Sequence, residues 1–202
     1  MISAGHRPLS RRSTLRLALL GAASLLASGH APYGQWGVYR KRYLLILTTR
    51  DDPTSYALGT RIAAVLAERL PESRARVSRA PNKERIASLM SSKQMDVAVM
   101  HRDDAANLRA GASLSADYGP VPLHMIVAVG DYRLVCREDF PGKHAWLIAE
   151  ALSKHPHLIN VAGAASDARI PLHPGADAYF GGRPVPAPEP PARADQENRH
   201  AH

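Results

Sequence analysis

The chain has 202 residues, 45% of them hydrophobic, with a single cysteine and a formal net charge of +8. That is material for one compact domain rather than several, and a lone cysteine excludes an intramolecular disulfide, so the fold must rest on its core. The basic residues are not gathered into patches interleaved with aromatics, which excludes the footprint of a nucleic-acid binder.

From the N-terminus, Ser10 to Arg16 carries the pair Arg11-Arg12 and runs into an uncharged apolar stretch, Leu17 to Ala27, followed by Gly29-His30-Ala31 and Pro32. A basic region, a short apolar region and small residues at alternate positions predict a signal peptide over residues 1–31, of the twin-arginine type, cut near Ala31. The apolar stretch is far shorter than the roughly 20 residues of a spanning helix, so a periplasmic protein with no stable membrane insertion after cleavage is expected. Residues 1–31 hold four arginines and no acid, leaving 22 basic against 18 acidic residues, a net +4 that acts as a mild solubility term. Residues 32–42 form a lead-in segment, with Trp36 and Tyr39 expected to pin it to the domain.

The domain is expected over residues 43–180. Tyr43 to Thr49 is a continuous apolar run ended by Asp51-Asp52-Pro53, the signature of a strand buried on both faces. Thr54-Ser55-Tyr56 is read as the cap of a helix that carries Leu58, Ile62, Val65, Leu66 and Leu70 at helical spacing and stops at Pro71. Arg74 to Ser78 predicts a second strand with a solvated charged face, Asn82 a cap for a second helix, and Met95 to Met100 a third strand. A helix over Asp103 to Ala110, strands over Leu123 to Val129 and Tyr132 to Arg137, and a helix over Ala145 to Leu152 complete the reading. Cys136 is expected to pack as a small hydrophobe in its strand. From Gly181 to His202 there are five prolines and almost no large apolar residue, so a disordered Pro/His-containing tail is expected over 181–202.

Strands alternating with helices predict an α/β fold, a mainly parallel sheet with helices on both faces. In such sheets ligands sit at the carboxyl ends of the strands, which draws attention to Thr48 to Ser55, His101 to Asp104 and the approach to Leu123. The helix start after the first strand presents backbone N–H groups and the Ser55 hydroxyl, a setting for a carboxylate or phosphate; the alternative is that Thr54 or Ser55 only caps its own helix.

Several segments carry a family likeness: Leu44 to Arg69, Met95-Asp96-Val97-Ala98-Val99-Met100-His101-Arg102-Asp103, Val121 to Val127, Tyr132-Arg133-Leu134-Val135, and Ile170-Pro171-Leu172-His173-Pro174-Gly175-Ala176 with Tyr179. Together they resemble the TAXI family of extracytoplasmic solute receptors of TRAP-type transporters. The resemblance implies a single type II periplasmic-binding-protein-like lobe. Family receptors have two lobes with solute between them, whereas here the return strand begins almost directly after Val129, leaving no residues for the second. The family's threonine- and glycine-rich first turn is replaced by Thr48-Thr49-Arg50-Asp51-Asp52-Pro53, and its usual Gln aligns with His101. By position, the resemblance implies Thr48, Tyr56, His101 and Asp103 as ligand-binding residues beside Ser55.

No Gly-x-Ser-x-Gly elbow is present and Cys136 has no identifiable base partner, so a non-catalytic protein without cofactor is expected. The close pairs His155/His157 and His200/His202 lack the company of a defined metal site, and none is expected; His173, set among turns, reads as a conformational lock. The expected function is that of an exported binding protein whose strand ends take a partner protein or, weakly, a small ligand. The alternatives are the solute-binding component of a TRAP-type transporter for a small organic anion, working with a membrane transporter subunit, or an accessory factor in the maturation of a periplasmic enzyme.

Overall fold

The computed structural model describes residues 43–113, 116–156, 159, 161–162 and 167–187; the expected signal peptide, the lead-in segment, His157, and the tail beyond Ala187 lie outside them. Five strands pair into one sheet: β1 (Leu45–Thr49), β2 (Arg76–Ala80), β3 (Val97–His101), β4 (Leu123–Val129) and β5 (Tyr132–Arg137), in the order β2-β1-β3-β5-β4. β1 is parallel to both β2 and β3, while β5 runs antiparallel to β3 and to β4. Four strands therefore point one way and β5 alone runs back between β3 and β4. The fold is α/β, with helices on both faces of a mainly parallel sheet.

The helices are α1 (Pro53–Arg69), α2 (Lys83–Ser91), α3 (Arg102–Ala110), α4 (Gly142–Ser153) and α5 (Pro174–Phe180). Strand alternation sorts the core in two. Ile46, Val97, Val99, Leu134 and Cys136 face α1, α4 and α5, where they meet Ile62, Leu66, Ile148 and Leu152. Leu47, Ala98, Met100 and Val135 face α2 and α3, against Ile86, Met90 and Leu108. In β4 the alternation breaks: its pairing with β5 shifts between Met125 and Val127, and Ile126 and Val127 both enter the first cluster, as an extra residue in a bulge requires.

Each crossover follows from local chemistry. Asp52, not Thr54 or Ser55, caps α1, because Pro53 occupies the first helical position, where its missing N–H is no loss, and the Asp52 carboxylate then reaches the N–H groups of Thr54 and Ser55. Asn82 caps α2 through the Arg85 N–H at 2.9 Å. The second strand starts two residues later than its charge run suggests, because Pro71–Ser73 make a turn of 3-10 helix and Arg74 is left-handed at φ 46°. The charged side chains of β2 fold back onto aromatics, Arg76 over Tyr43 and Arg79 over Tyr56, at 4.8 and 4.3 Å from the ring centroids.

β4 and β5 are joined by two residues, Gly130 and Asp131, with positive φ (56°) at Gly130 alone, the pattern of a II′ hairpin. Past α4 the chain returns to the outer edge of β4, where Met125 donates to the Pro171 carbonyl at 2.8 Å and accepts from the His173 N–H at 2.8 Å. The domain does not end at Phe180, as its composition suggests. The Arg183 N–H bonds the Ala178 carbonyl at 2.7 Å, the Trp146 indole donates to the Arg183 carbonyl at 3.0 Å, and Pro186 packs over Gly142. Among the described residues no helix is long and apolar enough to cross a membrane.

Candidate functional site

The carboxyl ends of β1 to β4 and the start of β5 share one end of the sheet. The approach to Leu123 does not belong there, because β4 runs with β1 and so begins at the opposite end.

Asp52 organises this face. Its Oδ1 accepts from Thr54 N–H at 3.0 Å, Ser55 N–H at 3.2 Å and the Tyr132 hydroxyl at 3.0 Å, a contact across 80 residues of chain. The backbone donors at the start of α1 therefore already hold a carboxylate, one supplied by the chain itself. Burial, then the hydrogen bond to Asp52 and that carboxylate's charge, raise the Tyr132 phenol above its ordinary pKa. The Tyr132 ring also meets the His101 ring edge-on, centroids 5.7 Å apart.

Two of the sequence-predicted residues do not open on this face. Thr48 is fully buried, donates to the Ser78 carbonyl at 3.3 Å and sets its methyl under Gly59 of α1. Ser55 is also fully buried, and its hydroxyl is occupied within the loop, donating to the Asp52 carbonyl at 2.7 Å and accepting from Thr49 N–H at 3.4 Å. Tyr56 is exposed but turned to β2, under Arg79. His101 and Asp103 do reach the face. The His101 Nδ1 accepts from the Asp103 N–H at 3.4 Å and so starts α3.

Residues that sequence reasoning left aside complete the face. Arg169 donates to Asp103 at 3.0 Å and, more weakly, to Asp167 at 3.4 Å. Asp167 lies 3.7 Å from the guanidinium of the buried Arg133, whose Nη1 also donates to the Gly130 and Tyr132 carbonyls at 2.9 Å, bracing the hairpin from below. Above all, the hydrogen bond from Arg169 holds the Asp103 carboxyl below its ordinary pKa. Lys83 meets Asp104 at 2.7 Å, and that bond raises its ammonium pKa against the opposing effect of burial. Arg102 meets Asp131 at 3.5 Å. The charges of the face are thus largely matched among themselves. Only the Asp-Pro step at Asp52-Pro53 carried a local signal of its role.

A groove of about 570 Å³ lies beside this network, between α1 and the hairpin, lined by Pro53, Ala57, Leu58, Arg61, Val129 and Tyr132. A second cavity, about 740 Å³, sits at the other end of the sheet between Leu70 and Ile148 and includes Tyr43, where the described chain begins. The first is the candidate site, because it lies at the carboxyl ends of the strands, where α/β sheets bind. No family model and no curated protein matches this chain. Among the described residues no three of His, Cys, Asp and Glu group as metal ligands. Burial, then the charges of Asp96 and Asp139, push the Cys136 thiol well above its ordinary pKa, leaving it a packing residue.

Proposed function

We propose that this protein is an exported, non-catalytic binding module, a single-lobe relative of TAXI solute receptors, that engages a partner protein through the carboxyl-end face of its sheet. The observation that carries the reading is Asp52. A receptor for small anions needs free donors at this helix start, and here they are saturated by the chain's own carboxylate. One lobe also leaves a ligand open to water on the side where a second lobe would close, which limits affinity for a small solute. A protein partner brings its own second wall, and a face of exposed, mutually paired ions around an apolar groove suits such an interface.

The experiment is site-specific photo-cross-linking in the native periplasm, with the cross-linker placed at Arg102 on the face and, as control, at Glu68 near the far end of α1. The reading expects a discrete adduct from position 102 and none from position 68. Equal adducts at both positions, or none at 102, would remove it.

The groove favours a second reading, reception of a small organic solute between two copies of the chain. Light scattering separates the two, since a strict monomer leaves the solute without its second wall.

A further inference from the structure

The two edges of the sheet end differently. On the β4 side the chain covers itself: Met125 donates to the Pro171 carbonyl and accepts from the His173 N–H, both at 2.8 Å, and the Ala128 carbonyl accepts from the Ala162 N–H at 2.9 Å. On the other side β2 has β1 as its one strand neighbour. The Arg76 N–H donates to the Leu44 carbonyl at 2.9 Å, and the Ala80 carbonyl accepts from the Arg50 N–H at 3.0 Å, so both residues turn their backbone groups toward β1. Successive residues of a parallel strand alternate in this respect, and Val77 and Arg79 therefore aim their N–H and C=O groups outward. Among the described residues nothing pairs with those four groups.

The open stretch is bounded and carries charge of one sign. Arg74, left-handed at φ 46°, brings the chain into it, and Pro81, which has no N–H to offer, closes it. β2 reads Arg-Val-Ser-Arg-Ala, without an acid, and the nearest acids along the chain, Glu72 and Glu84, lie outside the strand. Arg74, Arg76 and Arg79 are exposed, and none has an ion-pair partner among the described residues. That separates this edge from the carboxyl-end face, where Lys83, Arg102 and Arg169 each meet a carboxylate. Arg76 and Arg79 rest on the Tyr43 and Tyr56 rings, which hold the guanidiniums beside the strand while their N–H groups stay available to a carboxylate. A second copy pairing β2 against β2 would gather Arg76 and Arg79 from both chains with no acid in either strand to offset them, which disfavours self-association at this edge.

We propose that the outer edge of β2 is a docking site for an acidic, extended segment of a partner protein, which adds to the sheet as a sixth strand. Val77 and Arg79 supply the main-chain hydrogen bonds, and Arg74, Arg76 and Arg79 select carboxylates on the incoming strand. This edge is a second surface, independent of the carboxyl-end face.

The probe is a fluorescent peptide of about eight residues alternating glutamate with valine, long enough to span the strand, and the control is its counterpart with lysine for glutamate. Each is titrated into the full chain by anisotropy, and amide hydrogen exchange is followed at Val77 and Arg79 by NMR. The acidic peptide is expected to bind saturably, more weakly as salt rises, and to slow exchange at both N–H groups; the lysine peptide is expected not to bind. Arg76→Glu combined with Arg79→Glu should weaken the acidic peptide by at least about tenfold and admit the lysine peptide. Val77→Pro removes an outward N–H at a position where an edge strand tolerates proline, and should cost at least about tenfold in affinity with circular dichroism unchanged. No saturable binding of the acidic peptide, equal binding of the lysine peptide, or binding that leaves exchange at Val77 and Arg79 unchanged would each overturn the proposal. So would protection of those N–H groups that rises with protein concentration in the absence of peptide, which would assign the edge to a second copy. Should Val77→Pro fail to fold, the exchange measured in the parent chain decides.

Discussion

Asp52 does three jobs with one oxygen, and its replacement separates them. Asp52→Ala removes the cap of α1 and the partner of Tyr132, and about 1 kcal/mol of stability is expected to go with the cap in urea unfolding. Asp52→Asn keeps an acceptor and should retain most of it. Close approach is the other residue-scale theme. A Cβ on Gly59 would sit 2.6 Å from the Thr48 methyl, and one on Gly175 would sit 2.0 Å from the Gly142 carbonyl oxygen. Gly59→Ala should therefore cost about 1–3 kcal/mol alone and much less when combined with Thr48→Ser, which deletes the opposing methyl; simple additivity in that double-mutant cycle would contradict the contact. Gly175→Ala has no such rescue, since the obstacle is backbone.

At the scale of elements, most boundaries were legible because apolar runs and caps are local. β4 and β5 begin and end where their sequences say, and Asn82 starts α2 as read. β2 was displaced because nothing in a non-glycine residue such as Arg74 announces a left-handed conformation. The face was less legible still, because its bonds join Asp52 to Tyr132 and Asp103 to Arg169 across 80 and 66 residues; local pattern encodes neither. It drew attention to Thr48 and Ser55 by chain position, and both proved to be buried supports of that loop. A further long-range tie sits at the other end of the sheet. Arg137 at the end of β5, 3% exposed, grips Asp139 with two hydrogen bonds and donates to the Met90 carbonyl near the end of α2 at 2.7 Å. Asp139→Ala leaves that guanidinium buried and short of partners, for an expected loss of about 1–3 kcal/mol. Burial works against the Asp139 charge, but the Arg137 hydrogen bonds and the charges of Arg137 and Lys93 outweigh it and hold the carboxyl below its ordinary pKa. Its contribution is therefore complete above about pH 4 and fades as pH falls below that, so Asp139→Asn should flatten the acid limb of the stability profile.

At the scale of the whole molecule, the two-residue hairpin at Gly130-Asp131 turns β4 directly into β5, and past α4 the C-terminal segment returns to the outer edge of β4. The domain boundary follows the contacts rather than the composition. A chain cut after Phe180 loses the Trp146–Arg183 and Arg183–Ala178 hydrogen bonds, so it should be less stable than one cut after Ala187 by about 1 kcal/mol per bond. Equal midpoints in denaturant would place the boundary back at Phe180. In the function proposed above, the carboxyl-end face is closed to small anions by its own Asp52 and left to a protein partner. Calorimetric titration of the full chain with small mono- and dicarboxylates tests it most directly. No saturable heat is expected with ligand at millimolar concentration; saturable micromolar binding to the parent protein, with Asp52 in place, would rule the proposed function out.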